Sequence, residues 1–306
     1  MKRNPKMRGV LSCLLALVLA LSITPSVFAE EPVGGTTIYV DAINGDDTQA
    51  DVGTAAEKAY KSIGEAVKAA KSGDTIKLAA GCYSLYDVCG KEGTNSTEYT
   101  KNKDLTFVGS GTDKTTWLIG PKVPNPEKYG TEYNSDYSFD VRGTAAKETV
   151  TFKDMTLQSG KVDYLGFAGT DNTVVEGCVI EGKTFYWGYT SAEFRNTTFI
   201  CPPGDYALWT YSSPEMTFDR CTFNSSGKVI NVYTDYDAGK HDITVNFKNC
   251  TVNSTALESL SVMNINDSNM GSFKYVINFS GVNTVNGIKA DGIESTDGSH
   301  ASTAYN

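Results

Sequence analysis

FKDMTL (Phe152–Leu157), VEGCVI (Val175–Ile180), FRNTTF (Phe194–Phe199), FDRCTF (Phe218–Phe223), FKNCTV (Phe247–Val252) and FSGVNT (Phe279–Thr284) are six versions of one phrase. Successive copies start 23, 19, 24, 29 and 32 residues apart. A phrase that persists while its spacing varies describes a solenoid, in which each copy is one turn and longer copies bulge outward as loops.

The phrase has a physical grammar. Its first residue is large and apolar in every copy (Phe152, Val175, Phe194, Phe218, Phe247, Phe279). Its fourth is compact and uncharged (Met155, Cys178, Thr197, Cys221, Cys250, Val282). Both are expected to point inward. The third residue is Asp154, Gly177, Asn196, Arg220, Asn249 and Gly281. All but Arg220 are types that tolerate a left-handed backbone, so the chain is expected to turn a corner there. A corner recurring once per turn between short strands is what a parallel β-helix requires, because each strand then pairs with its equivalent in the next turn.

Ahead of the repeats, TIYVDAINGDD (Thr37–Asp47) reads as a strand and a polar turn. SIGEAVKAAKSGDTIKLAAGCYS (Ser62–Ser84) reads as a helix followed by a strand. Ser62 and Glu65 form a capping box, and Ile63, Ala66, Val67 and Ala70 form an apolar stripe. Gly73 is expected to end the helix. So short a helix cannot bury its stripe alone and is expected to plug the open end of the coil.

Residues 1–29 combine Lys2, Arg3, Lys6 and Arg8 with an apolar run and SVFA, the pattern of a cleaved export signal that leaves a mature chain starting near Glu30. Removing it leaves 23 Lys and Arg against 36 Asp and Glu, a net charge of about −13, which disfavours nucleic acid and anionic membranes. No membrane span is expected in the mature chain. Six cysteines remain, and three of them (Cys178, Cys221, Cys250) occupy the same inward position, so a buried thiol ladder is preferred to a disulfide framework.

YVDAINGDD from Tyr39, YKSIGEAVKAAKSGDTIKLAAGCYS from Tyr60 and LTFVGSGTDKTTWLIG from Leu105 resemble the opening of proteins in the pectin lyase-like superfamily. The resemblance implies an all-β fold: a right-handed parallel β-helix, a solenoid with an N-terminal capping α-helix. On that plan residues 30–85 form the opening strand and capping helix, and 86–290 the turns. Residues 291–306 are a polar tail after which an anchor or further domain is expected. The superfamily includes lyases, hydrolases, esterases and adhesins, so function has to be argued from the site.

Enzymes of that superfamily carry their chemistry on the outer face of one sheet, here the strands that follow each phrase. Aligning them stacks Leu165, Trp187, Trp209, Ile230 and Met263 in one row, and Phe167, Tyr189, Tyr211, Val232 and Ile265 in another, both expected in the core. The face left outside carries Gly166, Gly188, Thr210, Asn231 and Asn264, flanked by Tyr164, Tyr186 and Tyr233. Tyr164, Tyr186, Asn231, Tyr233 and Asn264 are the candidate ligand-binding residues. This face is uncharged, whereas glycoside hydrolysis needs two carboxyl groups and uronate elimination a base and a cation.

The expected function is therefore a secreted or cell-surface, non-catalytic module for polysaccharide binding or adhesion, its partner an extracellular polysaccharide or host glycan. The alternatives are a glycan-degrading lyase or hydrolase with loop-borne carboxylates, Asp235 and Asp237 being the candidates, and a structural spacer of a larger surface protein. No cofactor is required. Calcium is a further candidate ligand for Asp235 and Asp237, and a weaker one for Asp41, Asn44, Asp46 and Asp47.

Overall fold

A computed structural model of the chain describes residues 35–84, 103–118, 138–140, 148–158, 165–168, 172–182, 184–187, 191–200, 208–211, 215–225, 230–233, 243–254, 261–266, 274–290, 293–297 and 303–304. The expected export signal lies outside the described residues. No helix among them is long and apolar enough to cross a membrane.

Three sheets of 10, 9 and 7 strands hold nearly all of the regular structure. From Leu105 onward one turn after another gives each sheet one strand. Thr149–Lys153 enters the first, Thr156–Gln158 the second and Leu165–Ala168 the third, before Asn172–Glu176 returns to the first. Each strand pairs parallel and in register with its equivalent in the next turn: Phe107 with Phe152, Phe152 with Val175, and so on through Phe194, Phe218, Phe247 and Phe279. This is an all-β parallel β-helix. From Leu105 to Val285 each connection between neighbouring strands of one sheet passes through the other two, an arrangement for which a right-handed sense is the rule.

The corner between the first two sheets is built as its grammar requires. Asp154, Gly177, Asn196, Arg220, Asn249 and Gly281 all have positive φ, between 48° and 72°. Arg220 is thus no exception in geometry. Its Nε donates to Asn196 Oδ1 at 2.8 Å and its guanidinium meets Asp219 at 3.1 Å, contacts that offset the left-handed strain. At the first corner Met155 is buried as an apolar residue, and at the next four the residue after the corner is buried and has a specific task. Cys178 donates its thiol toward Phe152 O and Glu176 O, Thr197 donates to Val175 O and Arg195 O, and Cys221 reaches Phe194 O and Asp219 O. Cys250 does the same with Phe218 O and Lys248 O. The position therefore selects a small donor, and the expected thiol ladder is a hydrogen-bonding one. Burial pushes the Cys178 thiol up to about 12, and raises Cys221 as well.

The sixth copy corrects the expected pattern. Val282 is 62% exposed, and Asn283, 3% exposed, takes the inward place. Asn283 Nδ2 donates to Phe247 O and Ser280 O, and its Oδ1 accepts from Cys250 N at 2.7 Å. Thr251 accordingly pairs with Thr284, one residue later than the phrase implies. An extra residue at the corner bulges outward because only Asn283 can supply the donor that Val282 lacks.

Inside, like residues stack. Phe194, Phe218, Phe247 and Phe279 lie 5.1 to 5.3 Å apart with nearly parallel rings. Phe199 and Phe223 stack at 4.7 Å on the second sheet and meet Phe218 edge-on. Alternating stacked and T-shaped contacts suit the aromatic quadrupole. Helix α1 (Ile63–Ala69) buries Ile63, Ala66 and Val67, and Ala70 just after it, in the same cluster as Val40, Ile76 and Leu78. Its cap differs in detail from the expected box. Ser62 accepts from Glu65 N, but the Ser62 N–H goes to Asp47, while Glu65 pairs with Lys68. The helix ends before Gly73, which serves the following turn with φ 93°, and Lys103 Nζ caps Val67 O at 2.7 Å.

At the other end the direction reverses. Asn286 and Gly287, with φ 49° and 79°, make the tight turn their sequence favours, and Ile288–Ala290 runs antiparallel to Asn283–Val285. Ile293–Asp297 then pairs antiparallel with the first sheet and Thr303–Ala304 with the third. Residues expected as a polar tail thus supply an edge strand to both of those sheets.

Candidate functional site

The third sheet carries the candidate face, and its register decides which residues share it. Leu165 pairs with Thr184, Thr184 with Leu208, Leu208 with Ile230 and Ile230 with Met263. Two residues along, Phe139, Phe167, Tyr186, Thr210, Val232 and Ile265 form the next row of the same parity. These rows are rich in Leu, Ile, Val, Phe and Met, the composition of a core-facing side.

The opposite parity holds Ser138, Gly166, Phe185, Trp209, Asn231 and Asn264 in one row. Asp140, Ala168 and Trp187 are linked in another, whose later positions are Tyr211, Tyr233 and Asn266. This corrects the alignment read from the sequence. Trp209 does not stack with Ile230; its register partner is Asn231, because Leu208 takes the apolar place. Trp187 lies beside Ala168, not beside Leu165. Tyr211 pairs with Tyr233, whereas the expected row set it beside Val232. A shift of one residue exchanges the two faces of a strand, and Leu208–Trp209, two adjacent apolar residues, offers the sequence no way to choose.

The candidate ligand-binding residues are placed as follows. Asn231 and Asn264 are direct register partners, and Tyr233 shares their parity. Tyr186 sits between Phe167 and Thr210 in the apolar-parity row. Tyr164 lies outside the described residues, as do Asp235 and Asp237, the carboxylate and calcium candidates. In the two polar-parity rows Asp140 is the one charged residue among those described.

The Asp41–Asp47 loop resolves into turn chemistry. Asp41 Oδ1 accepts from Ile43 N and Asn44 N, Asp46 from Thr48 N, and Asp47 from Lys61 N and Ser62 N. These bonds use the carboxylates to shape the loop and anchor it to the helix. Among the described residues no group of three His, Cys, Asp or Glu is arranged to hold a metal.

The first sheet shows a feature that the sequence reading missed. Lys153, Glu176, Arg195, Asp219 and Lys248 follow one another at a single outer register position. Their signs alternate. Lys153 meets Glu176 at 3.1 Å, Arg195 Nε meets Glu193 Oε1 at 2.7 Å, and Lys248 meets Asp219 at 3.9 Å. The hydrogen bonds that Arg195 donates to Glu193 come first among the influences that raise the Arg195 pKa. Among the described residues these charges pair with neighbours of opposite sign. The signal was present as the second residue of the first five phrases, but its alternation is visible only once the turns are stacked.

No family profile matches the sequence, and no curated protein sequence is similar to it. Among solved structures, a pectin methylesterase from carrot aligns at 14% identity over 84% of this chain and 85% of that one, with a TM-score of 0.42. The parallel β-helix assignment rests on the strand pairing itself.

Proposed function

We propose that the protein is a non-catalytic, extracellular polysaccharide-binding or adhesion module that uses the polar-parity face of the third sheet. One observation carries this reading. The two rows of that face combine Asn231, Asn264 and Asn266 with aromatic residues and hold no Lys, Arg or His among the described residues. Amide side chains donate and accept toward hydroxyl groups at once, and aromatic rings cover the apolar faces of sugars. Hydrolysis requires a pair of carboxyl groups across the scissile bond, and elimination requires a base beside a cation. Asp140 alone supplies neither pair. Export by the leader at residues 1–29 would place this face outside the cell.

The test is co-sedimentation of the mature protein with a panel of insoluble plant, fungal and bacterial polysaccharides, the supernatant being assayed for new reducing ends and for unsaturated uronates. Retention without product supports the proposal. Product from any substrate contradicts it and favours a glycan-degrading enzyme with loop-borne groups. Neither retention nor product leaves the chain as a spacer.

A further inference from the structure

The register of the third sheet points to a more specific ligand, and we infer that Phe185, Trp187, Trp209 and Tyr211 form a stacking platform for an uncharged pyranose chain. This rests on the polysaccharide-binding reading and narrows it. The platform lies on two consecutive strands, Thr184–Trp187 and Leu208–Tyr211, which pair directly. Phe185 and Trp209 are register partners, and Trp187 and Tyr211 belong to the same parity two residues further along. The next strand continues the face with Asn231 and Tyr233. Parity assigns these aromatics to the side of Asn231, Asn264 and Asn266, opposite Leu208, Ile230, Val232 and Met263. The aromatic pair stands in a row that otherwise holds Ser138, Gly166 and two asparagines.

Two physical considerations fix the class of ligand. Adjacent turns are about 4.8 Å apart, close to the length of one sugar unit, so successive rings of a glycan crossing the strands meet successive turns. Charge favours neutral glycans over polyuronates. A uronate chain carries one negative charge per residue, whereas the platform rows hold Asp140 as their one charged group among those described, on a chain of net charge −9. Such a surface repels a polyanion at low salt and leaves a neutral glycan unaffected. Grip then comes from ring stacking and amide hydrogen bonds, with affinity insensitive to ionic strength.

The experiment is calorimetric titration of the mature protein with cellohexaose, xylohexaose and mannohexaose, and with hexagalacturonate as the acidic control, in low salt and in about 0.5 M NaCl. At least one neutral oligosaccharide is expected to bind with the same affinity at both salt concentrations. Trp209→Ala and Trp187→Ala should each weaken it roughly tenfold, and Trp209→Tyr should retain most of it. Thermal unfolding of each variant, with the Tyr variant as the folded aromatic control, separates a lost contact from a lost fold. Binding of hexagalacturonate alone, abolished by salt, would overturn the inference and leave the polysaccharide-binding reading standing. Neutral binding indifferent to both alanine variants would do the same. Absence of binding to every probe would overturn both.

Discussion

At the residue scale the molecule is organised by its corner. One residue adopts positive φ, and in five of the six corners a small buried residue beyond it donates a hydrogen bond to two carbonyls, one at the end of its own strand and one a full turn away; at the first corner Met155 fills the place by packing alone. Cysteine, threonine and asparagine meet that demand in turn, which explains a sequence pattern that hydrophobicity alone does not. Thr197→Val keeps the shape and removes the donor, so it should lower unfolding free energy by about 1 to 3 kcal/mol in a denaturant titration, whereas Thr197→Cys should be close to neutral. The corner at Asp154 makes a pH-dependent prediction. Partial desolvation at the corner, together with the like charge of Glu176, raises the Asp154 carboxyl above its ordinary value, so the folded state disfavours its ionised form. A carboxyl raised in the folded state destabilises the protein above that pKa and ceases to do so as protonation proceeds. Asp154→Asn, the residue type already used at Asn196 and Asn249, should therefore unfold at higher denaturant concentration than the parent at neutral pH. The advantage should disappear as the pH falls through the carboxylate range.

At the scale of elements, the strands of the first sheet are held in register by apolar stacks on the inner face and by alternating charge on the outer one. Glu176, Arg195 and Asp219 each face opposite charges above and below, and Lys153 and Lys248 on one side, so displacement by one turn would pair like with like and is penalised. Glu176→Lys places three cations in succession and should destabilise the protein more than Glu176→Gln. The gap between the two variants should close in about 1 M NaCl, where exposed charges are screened. The phrase was legible as a strand, a corner and a strand because Phe, a left-handed residue and a small residue recur at fixed offsets. The charge alternation was not, since each member looks like an ordinary solvated residue until its neighbours in space are known. The same limit explains the two misread elements. Val282 has the apolarity of an inward residue, but the position requires a donor. Leu208–Trp209 and Tyr186–Trp187 are pairs of apolar or aromatic neighbours in which a period of two has no unique phase.

On the scale of the whole molecule, the helix at one end and the reversed strands at the other bound a stack of turns whose faces differ in kind. The first sheet presents paired charge and the second mainly threonine and other polar residues, while the third is the one whose register groups aromatic and amide residues at one parity. Fold was readable because it is repeated in every turn. Function was less so because the distinguishing face depends on a register that single strands do not reveal. The three tryptophans of the chain allow that register to be tested without a ligand. Trp117 is fully buried and serves as the internal standard for an enclosed indole. In variants retaining one tryptophan each, with phenylalanine at the other two positions, acrylamide quenching and emission maximum should show Trp187 and Trp209 solvent-accessible and red-shifted relative to Trp117. If both are as blue and as resistant to quenching as Trp117, the aromatic rows belong to the core and the proposed binding face does not exist.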